Sequence, residues 1–319
     1  MREEQKQLQM VEQEIRRVVV GKDAVIHRIL TAILAGGHIL IEDVPGVGKT
    51  TLALAFSRAM ELSYKRLQFT PDVMPSDVVG YSVYNKATNR QVYVEGGIMC
   101  NLFLADEINR TSSKTQSALL EVMEEGSVTV DGVTRAVPKP FIVMATQNPV
   151  GSAGTQMLPE SQLDRFMIRT SMGYPEPAAE VTLMRDRGAG NPLDAVVKVM
   201  DCDALSRLMR QVEDVYVHDA IYSYIARLSA ATRSHESLAL GLSPRGSLAL
   251  AGMAKANALQ EGRDYVLPAD VQEIFSCVAA HRMVLTPMAR VNHLRTEKLA
   301  EDILMQVPAP KLVEKKGVK

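Results

Sequence analysis

One junction in the chain constrains the fold more than any other feature. The apolar run His38-Ile39-Leu40-Ile41-Glu42 passes directly into Asp43-Val44-Pro45-Gly46-Val47-Gly48-Lys49-Thr50, and a helical stretch over Thr50–Met60 follows. A short apolar run bounded by Pro and Gly reads as a buried strand. Strand, glycine loop and helix in this order make a Walker A arrangement, with Asp43 in place of its first glycine. Gly46 and Gly48 let backbone N–H groups turn towards phosphates, and Lys49 can reach the β/γ oxygens. Thr50 can ligate Mg²⁺, and the helix adds the positive end of its dipole. A glycine-rich turn that merely feeds a helix is the alternative. The strand–loop–helix context weighs against it. Asp43 sits at the strand end, where its side chain can point away from the phosphates.

The rest of the first half alternates. Tyr64–Phe69, Asn101–Ala105, Phe141–Thr146 and Phe166–Thr170 read as strands, and Lys114–Glu125 as a helix. Leu8, Val11, Ile15 and Val18 recur at three- and four-residue spacings over residues 7–19, and Asp23–Leu34 is a second helical stretch. Apolar strands alternating with helices predict an α/β fold, a parallel five-stranded sheet flanked by helices. Two hairpins interrupt it. Asp131-Gly132 separates alternating residues over Val128–Thr134, and Tyr81–Val94 surrounds a polar Asn85–Arg90 turn.

At Gly173-Tyr174-Pro175-Glu176-Pro177 the character changes to helices alone. They run from Asp201 or Asp203 to Glu213, over His218–Ser234, from Ser243-Pro244 to Gly262, and over Pro268–His281. Ser243 as N-cap and Pro244 at N1 mark the third start. The predicted domains are residues 1–175, an all-α domain over 176–309, and a flexible tail over 310–319, with Leu312–Lys319 polar and frayed.

Two further strand ends carry chemistry. Leu102-Phe103-Leu104-Ala105 ends in Asp106-Glu107, the Walker B pattern with a following glutamate. Asp106 would hold Mg²⁺, directly or through water, and Glu107 would orient the attacking water, since phosphoryl transfer depends on positioning and electrostatics. Ordinary solvated acids at a strand end are the alternative. The strand Phe141–Thr146 ends in Gln147-Asn148-Pro149, and the carboxyl ends of such strands face the ligand crevice. Asn148 could bond γ-phosphate or the water, or simply form a turn before Pro149.

Composition narrows the remaining classes. Lys plus Arg number 36 against 37 Asp plus Glu, so the basic excess of a dedicated duplex-DNA binder is missing. Cys100, Cys202 and Cys277 are far apart, with neither zinc nor disulfide spacing. The six histidines show no ligand spacing, and the 17 methionines read as core fillers. Tyr222 and Tyr224 read as packing residues. With no signal segment and no long apolar run, the cytoplasm is the expected location.

The glycine loop, the acidic pair and the polar strand end, in this order, resemble the AAA+ ATPases, and the details resemble the MoxR family. The resemblance rests on Asp43–Thr50, Leu104-Ala105-Asp106-Glu107-Ile108-Asn109-Arg110, Lys114–Glu121, Ala145–Pro149, Gln162-Leu163-Asp164-Arg165-Phe166 and Ser243-Pro244-Arg245. It implies a P-loop AAA+ core with an all-α lid, and ATP and Mg²⁺ as ligands. Val20 and Gly21 would touch adenine. Gly46, Val47, Gly48, Lys49, Thr50 and Thr51 would hold the nucleotide. Asn148 would be sensor 1 and Arg245 sensor 2. Arg165 would be the arginine finger, with Arg110 the other candidate. Tyr81–Val94 would be the helix-2 insert and Ser127–Val137 the pre-sensor-1 hairpin. The family implies a homo-hexamer and chaperone-like remodelling of protein partners, often proteins with von Willebrand factor A domains. A nucleic-acid-stimulated motor is the alternative, since helicase relatives share the insert.

Overall fold

The computed structural model describes residues 3–148, 158–187 and 190–311. Pro149 and the tail Leu312–Lys319 lie outside the described residues. The chain divides into two compact units, Met1–Met209 and Arg210–Lys319. The first holds helices α1 (Glu3–Val18) and α2 (Asp23–Leu34), strand β1 (Ile39–Glu42), α3 (Lys49–Ala59), β2 (Tyr64–Gln68) and α4 (Pro75–Val79). Strands β3 (Gly80–Asn85), β4 (Arg90–Glu95) and β5 (Leu102–Asp106) follow, then α5 (Ser113–Glu125), β6 (Ser127–Val130), β7 (Val133–Ala136) and β8 (Ile142–Gln147). The unit continues with α6 (Glu160–Leu163), β9 (Ile168–Thr170) and α7 (Pro177–Arg187), and α8 (Cys202–Asp214) runs across the division.

The five expected strands form one parallel sheet in the order β2-β5-β8-β1-β9. Successive strand residues face opposite sides of a sheet. Leu40, Phe103, Ala105, Val143 and Ala145 therefore join Leu119, Leu120 and Phe166 in one buried cluster. Leu102, Leu104, Ile142 and Met144, equally buried, are left for the opposite face. Each such side chain contributes about 1.5–3 kcal/mol on burial. These strands read as continuous apolar runs because both faces are covered.

His38 fastens three elements where β1 begins. Its Nδ1 accepts from Val143 N at 3.0 Å and its Nε2 donates to Met123 O at 3.0 Å. A ring that accepts at one nitrogen and donates at the other is neutral and of fixed tautomer.

The two hairpins form as expected. Asp131 and Gly132 both take positive φ, 50° and 74°, as a two-residue hairpin turn of this hand requires. In β3–β4, Tyr81 pairs with Val94 and Val83 with Val92, so the four share a face. All four are exposed. On the other face, Tyr93 donates to Val79 O and lies beneath the Arg135 guanidinium at 4.1 Å. At the hairpin base, a Cβ on Gly96 would fall 2.2 Å from Val78 O, so only glycine fits there.

Two features go beyond the sequence reading. The compact units part at Met209/Arg210, not at 175/176. The segment after α7 stays with the first unit because it is bonded to it: Val199 N donates to Ala59 O at 2.8 Å and Val197 N to a Glu14 carboxylate oxygen at 3.1 Å. The second unit is also not wholly helical. Besides α9 (Asp219–Ser234), α10 (Pro244–Gln260), α11 (Pro268–Ala279), α12 (Pro287–Val291) and α13 (Thr296–Gln306), it has a short antiparallel pair, β10 (Leu238–Leu240) with β11 (Val284–Leu285). Strands this short leave no period to read.

Within that unit, Ser243 Oγ accepts from Gly246 N at 3.0 Å, the cap expected for α10. Buried Asp270 is held by two Arg263 nitrogens at 2.7 and 2.6 Å and by Asn257 at 2.9 Å. Among the described residues, no helix is long and apolar enough to cross a membrane.

His38→Ala removes the acceptor of a buried N–H in the middle of the sheet. An unsatisfied buried donor costs about 1–3 kcal/mol. Urea denaturation of the variant is expected to show at least that loss of stability, while His38→Asn, which keeps an acceptor, is expected to recover part of it.

Candidate active site

The sheet order makes the site. β8 lies between β5 and β1, with Ala105 level with Ala145 and Glu42 level with Gln147. The carboxyl ends of the three strands therefore open side by side. Each ends in polar residues: Asp106-Glu107, Thr146-Gln147-Asn148, and the glycine loop after Glu42.

Thr146 is fully buried between the first two ends. Its Oγ1 donates to Asp106 Oδ1 at 2.6 Å and accepts from Glu107 N at 2.8 Å. Sequence reasoning passed over it, although a hydroxyl at the end of an apolar strand was a visible signal. The second Asp106 oxygen, Oδ2, accepts from Arg66 Nη2 at 2.7 Å and Nε at 3.2 Å.

Glu107 has a φ of 57°, so the extended strand stops there and the chain turns into a single 3₁₀ turn over Ile108–Arg110. Its Oε1 accepts from Asn148 Nδ2 at 3.0 Å. Its Oε2 accepts from Gln68 Nε2 and from Arg110 Nη1, both at 2.9 Å. Burial pushes the Glu107 carboxyl up, but the bonds from Arg110 and Asn148 outweigh it and hold its pKa below the ordinary carboxylate value. Glu107 is ionised at neutral pH.

Gly46 and Gly48 take φ of 87° and 95°, a left-handed pair that L side chains resist. Gly48 is the N-cap of α3 and offers no side chain to its N–H groups, which remain available to an anion. Lys49 is buried and folds back over the loop, donating from Nζ to Asp43 O at 2.7 Å and Val44 O at 3.2 Å. Burial lowers its pKa, while Asp43, Asp106 and Glu107 act in the opposite direction. Thr50 and Thr51 follow, half-buried, in the first turn of α3.

Asp43 does turn away. Its Oδ2 accepts from Ser171 Oγ at 3.1 Å, from Gly173 N at 2.9 Å and from Met172 N. It ties the start of the loop to the segment leaving β9.

Beside the loop is a cavity of about 490 Å³, within the ordinary range for ligand sites. Val18, Val19, Val20, Met172, Leu183, Met184 and Leu193 give it apolar walls, and Gly46, Val47, Gly48 and Thr51 give it a polar floor. Gly21 is not part of the lining. Its φ of 74° turns the chain between α1 and α2, and a Cβ there would stand 3.4 Å from Ala179. The α7 wall was not anticipated, because the stretch after Pro177 shows little helical periodicity in its apolar residues.

These residues suit a nucleoside triphosphate with a divalent cation. The loop offers N–H donors and one lysine, and the acidic pair offers hard oxygen ligands. Asn148 Oδ1 is a buried acceptor with no donor among the described residues, a match for an arriving O–H.

The two arginines diverge. Arg110 is in the Glu107 cluster. Arg165 lies apart, paired with Glu124 of α5 at 3.2 Å, on a separate cavity of about 630 Å³ with Glu121, Glu125 and Gln162. Arg245 belongs to the second unit, exposed in the first turn of α10.

Fold and site together define a P-loop ATPase of the AAA+ class. Residues 38–168 match the family model for ATPases associated with various cellular activities, and residues 230–303 match the AAA lid domain. Chaperone MoxR1 of Mycobacterium tuberculosis is 39% identical over 94% of this chain and 81% of its own. Protein MoxR of Methylorubrum extorquens is 30% identical over 94% of each. The uncharacterized protein YeaC of Bacillus subtilis is 47% identical over 93% of each. A crystal structure from Cytophaga hutchinsonii, of a protein described provisionally as an ATPase, aligns with TM-score 0.90 at 36% identity, over 97% of this chain and 96% of that one. The chain belongs to the MoxR family of AAA+ ATPases; it binds and hydrolyses ATP.

Asp43→Gly would restore the usual first glycine of the loop motif. It also strands the Met172 and Gly173 N–H groups and releases the loop from β9. The substitution is expected to destabilise the protein by about 1–3 kcal/mol, measured by chemical denaturation, instead of improving the loop.

Proposed function

We propose that the chain acts as a homo-hexameric, chaperone-like ATPase of the cytoplasm, whose turnover remodels protein partners. The observation that carries this reading is that one compact unit holds both the ATP site and an exposed apolar hairpin face. The name of the mycobacterial relative, a chaperone, supports it. Family resemblance points to partners with von Willebrand factor A domains.

In this reading Val20 borders the base, Gly21 only turns the chain behind it, and Gly46, Val47, Gly48, Lys49 and Thr51 hold the phosphates. Thr50 and Asp106 hold Mg²⁺, which when bound neutralises phosphate charge. Glu107, ionised and fixed by three donors, accepts the proton of the attacking water. Asn148 keeps Glu107 in place and offers its free Oδ1 to that water. Arg165 is the finger that reaches a neighbouring subunit's site. Its pairing with Glu124 of α5 supports this assignment over Arg110, which is already bonded to Glu107. Arg245, on the lid, senses the γ-phosphate.

Glu107→Gln is expected to retain ATP binding and lose about 10²–10⁴-fold in turnover, the contribution of a general base. Arg165→Ala is expected to bind ATP and fail to hydrolyse it. Mixing the two variants pairs intact fingers with intact glutamates at some interfaces, so partial activity should return. Co-assembly without recovery would remove the finger role in trans.

The apolar face of β3–β4 generates the second test. Replacing Asn85–Arg90 with a Gly/Ser linker is expected to leave basal ATPase intact and abolish its stimulation by a partner carrying a von Willebrand factor A domain. If stimulation survives the replacement, the hairpin is not the effector. If single-stranded DNA stimulates the wild type and the protein partner does not, the remodelling reading fails.

A further inference from the structure

Both carboxylates at the end of β5 are gripped from the edge strand β2. Arg66 and Gln68 are two residues apart and share a face of that strand. Arg66 places Nη2 at 2.7 Å and Nε at 3.2 Å from Asp106 Oδ2. The same Nη2 donates to Gln68 Oε1 at 2.9 Å. With Oε1 engaged, the Gln68 amide presents Nε2 to Glu107. Three contacts thus fix the guanidinium, although its side chain is 44% exposed.

A carboxylate offers about four acceptor positions. On Asp106 the Thr146 hydroxyl takes one on Oδ1, and the guanidinium takes both on Oδ2. Any cation that binds through Oδ2 must displace Arg66. A cation that binds through the remaining Oδ1 position still has a fixed positive charge on the same carboxyl group. Asp106 is only 11% exposed, so solvent screens this repulsion weakly.

We propose that Arg66 is a positioning residue that sets how strongly Asp106 holds the divalent cation. Guanidinium and metal ion compete for one carboxylate, so Arg66 weakens metal binding and keeps Asp106 neutralised and in place until the metal ion arrives. The half-exposed guanidinium can withdraw towards solvent without leaving a buried charge behind. The proposal rests on the reading of Asp106 as the Mg²⁺ ligand.

The test measures ADP affinity of the full chain by calorimetry over a series of free Mg²⁺ concentrations. For Arg66→Ala, the Mg²⁺ midpoint of the metal-dependent gain in affinity is expected to fall about three- to tenfold, less than the full loss of a charge-assisted contact because solvent screens the half-exposed guanidinium. Arg66→Lys, which keeps the charge but not the fork, is expected to fall between the wild type and Arg66→Ala. A merely structural role would instead weaken ADP binding at every Mg²⁺ concentration, including none. A midpoint that is unchanged or raised in Arg66→Ala overturns the proposal. Asp106→Asn in the same titration tests the reading beneath it and is expected to abolish most of the metal-dependent gain. If it does not, Asp106 is not the ligand, and the proposal falls for that separate and recognisable reason.

Discussion

The Thr146 hydroxyl makes two bonds, and the site depends on both. It donates to Asp106 and accepts from the backbone of Glu107. A hydroxyl can do this only when β5 and β8 are parallel and level, as Ala105 opposite Ala145 makes them. The pair of bonds fixes where the strand ends, and it fixes the left-handed turn at Glu107 that directs the side chain to Asn148. A shift of one residue in this register would send Asp106 to the other face of the sheet. The apolar packing of β5 and β8 is therefore also what sets the geometry of the site.

Charge is the second constraint. One lysine and two carboxylates are largely withdrawn from water within a few strand widths of each other. Isolated buried charges are costly, and here each is answered by donors or acceptors of the protein itself. Lys49 is folded onto two carbonyls of its own loop, Asp106 has Thr146 and Arg66, and Glu107 has Gln68, Arg110 and Asn148. Among the described residues, Asn148 Oδ1 and Asn109 Oδ1 are buried acceptors left open beside them. Near-complete satisfaction of the charged groups is what a pre-organised site needs: little must move except the groups that meet the ligand.

Local patterns were legible and long-range pairings were not. The glycine loop, the acidic pair, the Asp131-Gly132 turn and the Ser243-Pro244 helix start each depend on neighbours within a few residues, and the strand end, turn or helix start expected at each is present. The strand set was legible because double burial makes the strands continuous apolar runs. Thr146, Gln68 and Arg66 were missed, because their importance lies in partners some 40 positions away, set by sheet register alone. The division between the compact units falls later than the change of character at 173–177 for a related reason. Pro175 and Pro177 look like a linker, yet the bonds from Val197 and Val199 to Glu14 and Ala59 tie the next segment back to the first unit. The segment's own composition gives no sign of those partners.

The role proposed for Arg66 depends on the position of β2. β2 is an edge strand, paired on one side only, with β5. Its residues are mostly half-buried, whereas those of β5 are fully buried. Arg66 and Gln68 thus connect a rigid interior, where Asp106 and Glu107 are set, to a margin open to solvent. A group in the core could hold the carboxylates equally well, but it could not withdraw, because leaving would empty a packed interior. A guanidinium at the edge can let go at the cost of a half-screened contact. Fixed carboxylates with a releasable counter-ion suit a site that must alternately hold and release a charged ligand, and only the edge of this sheet provides both.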